Sequence, residues 1–370
     1  GGAKADSLPA SLTSMIGREY ESARLRKLIL DPNIRLISVL GPPGVGKTRL
    51  ALHVARAVSP AFKDGVVFVD LSPIRSASML LPAIMRALGM LGVDPVSNKN
   101  ILLVLDNFEQ IADAAVELPA ILSAASFIKI LVTSRETLRL RGEQELHLTP
   151  LPLPSKSGGV SVDRLREIPS INLFVERAQS VRPEFKLDEK NASRVAELCF
   201  RLDGLPPAIE LAAARTRTLS LDSMLEQIDR LFEWLTQGAR DLPAWRQSLQ
   251  GAVEWSVSLL SDEERALFQR LSVFSGGWTL ESAREVCRDD ALCKHADIFN
   301  LLIQLVDKSL VQPEDEAGRF NFFETLREYA LKELQESGWL ETARERHSDH
   351  FLKFIEFANP HLKQGDAQLD

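Results

Sequence analysis

The chain has 370 residues, 45% of them hydrophobic, which is enough to bury several cores and predicts two to four domains. A formal net charge of −7 argues against a protein whose main task is coating nucleic-acid phosphates. Three scattered cysteines, Cys199, Cys287 and Cys293, argue against a disulfide framework and suit a reducing cytosol.

No apolar run approaches the ~18 residues of a membrane span, and the N-terminal GGAKADS lacks the regions of a signal peptide, so the expected location is cytoplasmic, away from any membrane. The leading Gly-Gly fits an artificial addition. From residue 34 onward, short apolar runs alternate with helical patterns. Strands are expected at 34–40, 66–71, 101–106, 128–133 and, more weakly, 144–149. Their hydrophobicity is continuous rather than alternating, the pattern of strands covered on both faces in a parallel sheet. Helices starting near Lys47 and near Ala77 supply right-handed crossovers.

The Pro-, Gly- and Ser-rich run 150–160 then reads as a linker. Helices follow at 170–181, 188–202, 207–217 and 221–235, spaced for a small bundle. Ser261 and Glu264 have capping-box spacing ahead of a helix over 262–274, Thr279 is placed to cap 280–287, and a third helix is expected over 297–308. Strands at 309–313 and 319–323 around a turn, then a helix over 324–334, complete a winged-helix pattern. The end of the chain continues helically without an obvious cap, as expected of a piece of a longer protein. The domain expectation is a parallel-sheet α/β domain with an N-terminal entry segment at 1–153, a helical domain at 161–240, a winged-helix domain at 241–336 and the start of a helical linker or sensor region at 337–370.

The chemistry concentrates at 41-GPPGVGKT-48, which fits G-x-x-x-x-G-K-[ST] between a strand and a helix. Glycines there let backbone N–H groups turn inward around phosphate oxygens, and the helix N-terminus adds partial positive charge. Lys47 is expected to reach the outer phosphates and Thr48 to ligate Mg²⁺. Pro43, Gly44, Val45 and Gly46, with Arg49 just inside the helix, are the other expected nucleotide-binding positions. Asp106 stands at the C-terminal end of an apolar strand, where open α/β sheets bind ligands, and is the second expected Mg²⁺ ligand. Asn107, next to it, cannot accept a proton as a general base, which predicts slow hydrolysis. Glu109 is either a substitute base or a surface residue. Arg135 ends the following strand and either senses a γ-phosphate or closes an ordinary salt bridge.

With these motifs, the chain resembles the STAND class of P-loop ATPases, in particular the NB-ARC-like module of large bacterial regulators. The resemblance runs from about residue 8 to about residue 354. It is carried by 15-MIGRE-19, 41-GPPGVGKTRLAL-52, 101-ILLVLDNFEQ-110, 131-LVTSRETLRLRGEQ-144, 203-DGLPPAIELAAAR-215, 271-LSVFSGGWTLESA-283 and 319-RFNFFETLREYAL-331. It implies three domains closing around an adenine nucleotide, ADP at rest, with Arg18 against the base, Pro206 packed on the adenine and Arg135 sensing the γ-phosphate. It also implies effector and sensor domains outside this chain and homo-oligomer formation on activation.

Two departures stand out. Asn107 replaces a second acid common in the family, and Phe322, Phe323 and Glu324 stand where many relatives carry Met-His-Asp, whose His reaches ADP. A phenylalanine cannot donate a hydrogen bond to phosphate. The stretch 91–100 is also short. The leading expectation is an ATP/ADP switch with weak ATPase activity, closed with ADP and opened by ATP with Mg²⁺. The alternatives are a continuously turning-over ATPase and a DNA-binding winged-helix regulator. Against direct DNA binding, the helix over 297–308 carries Asp297 and Asp307, and the hairpin tip Glu314, Asp315 and Glu316. Zinc sites at Cys287, Cys293 and His295, or at His347 and His350, are not expected, the two histidines reading as an exposed helix face.

Overall fold

Four apolar runs become the strands β1 (Leu36–Leu40), β2 (Val66–Asp70), β3 (Leu102–Asp106) and β4 (Lys129–Thr133), and a mostly polar segment, in which Leu146 is the buried residue, becomes β5 (Glu143–His147). The computed structural model of the protein describes residues 8–9, 14–74, 76–88, 99–154, 161–226, 253–254, 257–287, 297–314 and 318–365. The strands form one sheet in the order β2-β3-β4-β1-β5, with every neighbouring pair parallel. Because all the strands run the same way, the segments leaving β1, β2, β3 and β4 emerge on one edge.

The continuous apolar runs have the expected cause. Along β3, Leu103 and Leu105 join the core on one face with Ile84, Phe108 and Leu118, while Leu102 and Val104 join the core on the other with Leu25, Leu50 and Val54. A strand feeding two cores has no polar face to show. The helices behind those faces are α1 (Glu19–Leu30) and α2 (Lys47–Val58) on one side, and α3 (Leu80–Ala87) and α4 (Leu118–Ala124) on the other. The helix expected near Ala77 opens as a 3₁₀ turn, Ala77–Met79, before α3 begins. The stretch after β3 is a 3₁₀ segment, Phe108–Glu117, interrupted by a non-helical Ile111.

The chain divides into two units, Gly1–Gln227 and Ile228–Asp370. The first also holds α5 (Val162–Glu167), α6 (Pro169–Val181), α7 (Ala192–Arg201), α8 (Pro206–Arg215) and α9 (Leu221–Glu226). Phe174 of α6 is fully buried and meets Phe185 edge-on at 5.9 Å between ring centroids.

The second unit contains α10 (Asp262–Leu271), β6 (Trp278–Thr279), α11 (Leu280–Cys287), α12 (Ile298–Asp307), β7 (Gln312–Pro313), β8 (Arg319–Asn321), α13 (Glu324–Glu336) and α14 (Leu340–Gly365). The Ser261 hydroxyl accepts from the Glu264 amide at 3.2 Å and the Glu264 carboxylate accepts from the Ser261 amide at 2.7 Å, so the capping box forms. Thr279 caps α11 as expected, accepting from the Ser282 amide at 3.2 Å. The expected strand over 309–313 shortens to β7, because Ser309 takes a left-handed turn (φ 56°) after α12. A third strand, β6, pairs antiparallel with β8. Phe322 and Phe323 are buried in this unit's core, Phe322 edge-on to Phe268 and 4.9 Å from the Trp278 ring.

His347 and His350 do not form a bare solvent face. Both are half-buried, His347 packing at 5.0 Å on the Phe274 ring and His350 hydrogen-bonding the Ser282 hydroxyl at 3.1 Å. Burial pushes the Cys287 thiol up to about 12, against the pull of Arg270 and Arg346, and raises the Cys199 thiol as well. Cys293, His295, Asp315, Glu316, the connection 91–98 and the end of the helix expected over 221–235 lie outside the described residues.

Candidate nucleotide site

The loop joining β1 to α2 bends through three left-handed glycines, Gly41 (φ 145°), Gly44 (φ 76°) and Gly46 (φ 100°). At Gly41 a Cβ would stand 2.3 Å from the Leu148 carbonyl oxygen, so the loop lies against the segment leaving β5 and only glycine fits. Lys47 curls back over the loop and donates to the carbonyls of Gly41 at 2.7 Å and Pro42 at 3.0 Å. These bonds place the ammonium across the mouth of the loop.

Thr48, one residue into α2, donates to Asp106 Oδ1 at 2.6 Å across to the end of β3. Asp106 is fully buried and takes a second hydroxyl bond, 2.5 Å, from Thr133 at the end of β4. Its other oxygen accepts from Asn107 Nδ2 at 3.1 Å. A buried carboxylate costs free energy unless it is bonded, and two hydroxyls and a carboxamide bond this one. Thr48 and Asp106 therefore stand together at the C-terminal edge of the sheet beside the glycine loop, and this donor set fits a Mg²⁺–polyphosphate. The two side chains would share the metal, which when bound screens phosphate charge.

Asn107 adopts a left-handed backbone (φ 63°, ψ 48°) that turns the chain out of β3. Its amide donates to Thr133 Oγ1 at 3.1 Å, and its side chain reaches Asp70 Oδ1, at the end of β2, at 3.2 Å. Ser72 also donates to Asp70 Oδ1, from its amide at 3.0 Å and its hydroxyl at 2.5 Å. Thr133 and Asp70 were not expected at the site. Each is the last residue of its strand, the place that singled out Asp106; Thr133 also ends the expected strand 128–133, whereas the expected strand 66–71 ran one residue past Asp70.

Arg135 and Glu109 form an ion pair at 3.1 Å with both side chains 7% exposed. Of the readings open to Glu109, the surface one is set aside: its Oε2 is buried with no hydrogen-bond partner. Burial lowers the Arg135 guanidinium from its usual value, and Glu109 opposes that shift.

The remaining expected residues fall into two groups. Arg18 is buried and donates to Glu21 at 2.7 Å, to the Val45 carbonyl of the loop at 3.2 Å and to the Thr149 carbonyl at 2.7 Å. Two residues beyond Thr149, the Leu151 amide donates to the Gly204 carbonyl at 3.0 Å, and a Cβ on Gly204 (φ 65°) would clash at 2.3 Å with the Leu151 carbonyl oxygen. Pro206 follows as a half-buried first residue of α8. Contacts thus run from Val45 through Arg18, Thr149 and Leu151 to the turn ahead of Pro206. Arg49 points instead to α8, bonding Glu210 at 3.0 Å and the Ser14 carbonyl at 2.6 Å.

Among the described residues no group of three or more His, Cys, Asp or Glu side chains is arranged to hold a metal alone, and no helix is long and apolar enough to cross a membrane. No family model matches the chain. Among solved structures, the Walker-type ATPase PABY2304 of Pyrococcus abyssi superposes with a TM-score of 0.58 over 89% of this chain and 100% of its own, at 12% identity, and shows the same P-loop fold. Rv0890c of Mycobacterium tuberculosis, named as an HTH-type transcriptional regulator, is 36% identical over 333 residues, 86% of this chain but 36% of that protein. Rv0894 of the same organism, named as an uncharacterized protein, is 35% identical over 353 residues, 92% of this chain and 86% of that protein. With that identity across nearly the full length of both chains, this protein belongs to the family of mycobacterial Rv0894.

Proposed function

We propose that the protein is an adenine-nucleotide switch of the STAND class, binding ADP at rest and ATP with Mg²⁺ in its active form, with slow hydrolysis returning it to rest. The observation that carries the reading is the Thr48–Asp106 hydrogen bond beside the left-handed glycine loop that Lys47 spans. In this reading Lys47 exchanges its two loop carbonyls for phosphate oxygens, and Arg18 and Pro206 flank the base. The helical region (161–240), a winged-helix domain (241–336) and the segment 337–370 respond to nucleotide state. Opening frees surfaces for signalling or self-association.

The test is titration of parent and Lys47→Ala with fluorescent ATP and ADP in Mg²⁺. Losing a hydrogen bond to a charged group costs about 1.5–3 kcal/mol, so affinity is expected to fall roughly 10- to 150-fold. Equal affinity in both proteins would overturn the reading.

A further inference from the structure

Hydrolysis needs an acceptor for the proton of the attacking water, and the residue after Asp106 is an asparagine. Glu109, the acceptor that sequence proximity suggests, is bound to Arg135 and buried. A third carboxylate stands at the same sheet edge as Asp106. Asp70 lies beside Asp106 in the β2–β3 register, and the Asn107 carboxamide nitrogen bridges the two acids, at 3.2 Å to Asp70 Oδ1 and 3.1 Å to Asp106 Oδ2. The two acids therefore lie no farther apart than one bridging nitrogen allows, at the same edge of the sheet.

Asp70 is also held for a task at its other oxygen. The bonds from Ser72 N, Ser72 Oγ and Asn107 Nδ2 all fall on Oδ1, and no described residue donates to Oδ2. The carboxylate is half-buried rather than sealed. Three donors lock the side chain's direction while one oxygen keeps its lone pairs, which suits a group that orients water.

We propose that Asp70 orients the hydrolytic water and accepts its proton, with Asn107 holding Asp70 in place. The assignment rests on the nucleotide reading above. The water oxygen bonds to the γ-phosphorus as the bond to the β,γ-bridging oxygen breaks, that electron pair leaving with ADP. The water proton passes to Asp70 Oδ2, and from there to bulk solvent.

The experiment compares the parent with Asp70→Asn, which keeps an Oδ1 acceptor for its three donors, and with Asp70→Ala. Three quantities are read: Mg-ATP affinity, single-turnover hydrolysis, and retention of ADP with aluminium fluoride through a desalting column. Both variants are expected to bind ATP within about threefold of the parent, to hydrolyse it at least about 100-fold more slowly, and to lose the aluminium fluoride complex. Formate added to Asp70→Ala is expected to restore part of the turnover, which a purely structural role would not allow. Should Asp70→Asn fail to fold, the Ala variant with formate decides alone. Hydrolysis within threefold of the parent in a variant that still binds ATP, or no rescue by formate, overturns the assignment. A parent that binds no ATP would instead overturn the nucleotide reading itself.

Discussion

Arg135 shows at the scale of one residue why its role could not be chosen from the sequence. Strand spacing placed it at the sheet edge but did not say whether it faced solvent, and in the structure it is buried against Glu109. A buried ion pair is costly to break from one side, about 3–5 kcal/mol, because the other charge remains without its counterion. The same guanidinium could exchange the carboxylate for a γ-phosphate without losing a charged partner. Arg135→Ala is therefore expected to show two effects: a loss of about 3 kcal/mol in urea unfolding, and the disappearance of any difference between ATP and ADP affinity. The first without the second would make Arg135 a structural partner of Glu109 and remove it as a sensor. Glu109→Gln, which keeps an acceptor beside the guanidinium, is the milder control.

At the scale of elements, legibility followed length and burial. The strands ending in Asp70, Asp106 and Thr133 were readable because each serves two cores, and that demand leaves an unbroken apolar run. The two-residue strand Trp278–Thr279 was not, since no periodicity can be defined over two positions. The 3₁₀ segment after β3 was missed for another reason: Asn107 leaves the strand in a left-handed conformation, and Ile111 interrupts the turns that follow, so neither helical nor strand period holds. Capping chemistry was legible in detail. Ser261 and Glu264 exchange both expected bonds, and Glu264 also receives Lys308 Nζ at 2.6 Å from the end of α12. Ser261→Ala is expected to lower the stability of the second unit by about 1 kcal/mol. Hydrogen exchange in the first turn of α10 should speed up correspondingly, while the β1 amides stay unchanged. Unaltered exchange in α10 would show that Lys308 and core packing hold that end without the cap.

At the scale of the molecule the question is how far a nucleotide's influence extends, and within the first unit a route is visible. Arg49 of α2, two residues after Lys47, meets Glu210 of α8, and Arg177 of α6 meets the same carboxylate at 2.9 Å. The Leu151–Gly204 backbone bond ties the same helical region to the segment beside Arg18. Such half-exposed ion pairs contribute little stability alone. Their consequence is geometric, because a displaced α2 N-terminus cannot keep both α6 and α8 where they are. Binding equal in strength to both nucleotides would move nothing, so a switch requires differential coupling, typically 1–3 kcal/mol.

Hydrogen exchange with and without Mg-ADP separates a switch from a simple ATPase. Either reading predicts slower exchange at 41–49, 102–107 and 133–135, and the loss of that protection in Lys47→Ala. The switch alone predicts that ADP also slows exchange in the second unit, around 319–330, by roughly 5- to 150-fold, the span of that coupling energy, and that ATP does not. Protection confined to the first unit with both nucleotides would leave a nucleotide-binding domain in place and remove the switch.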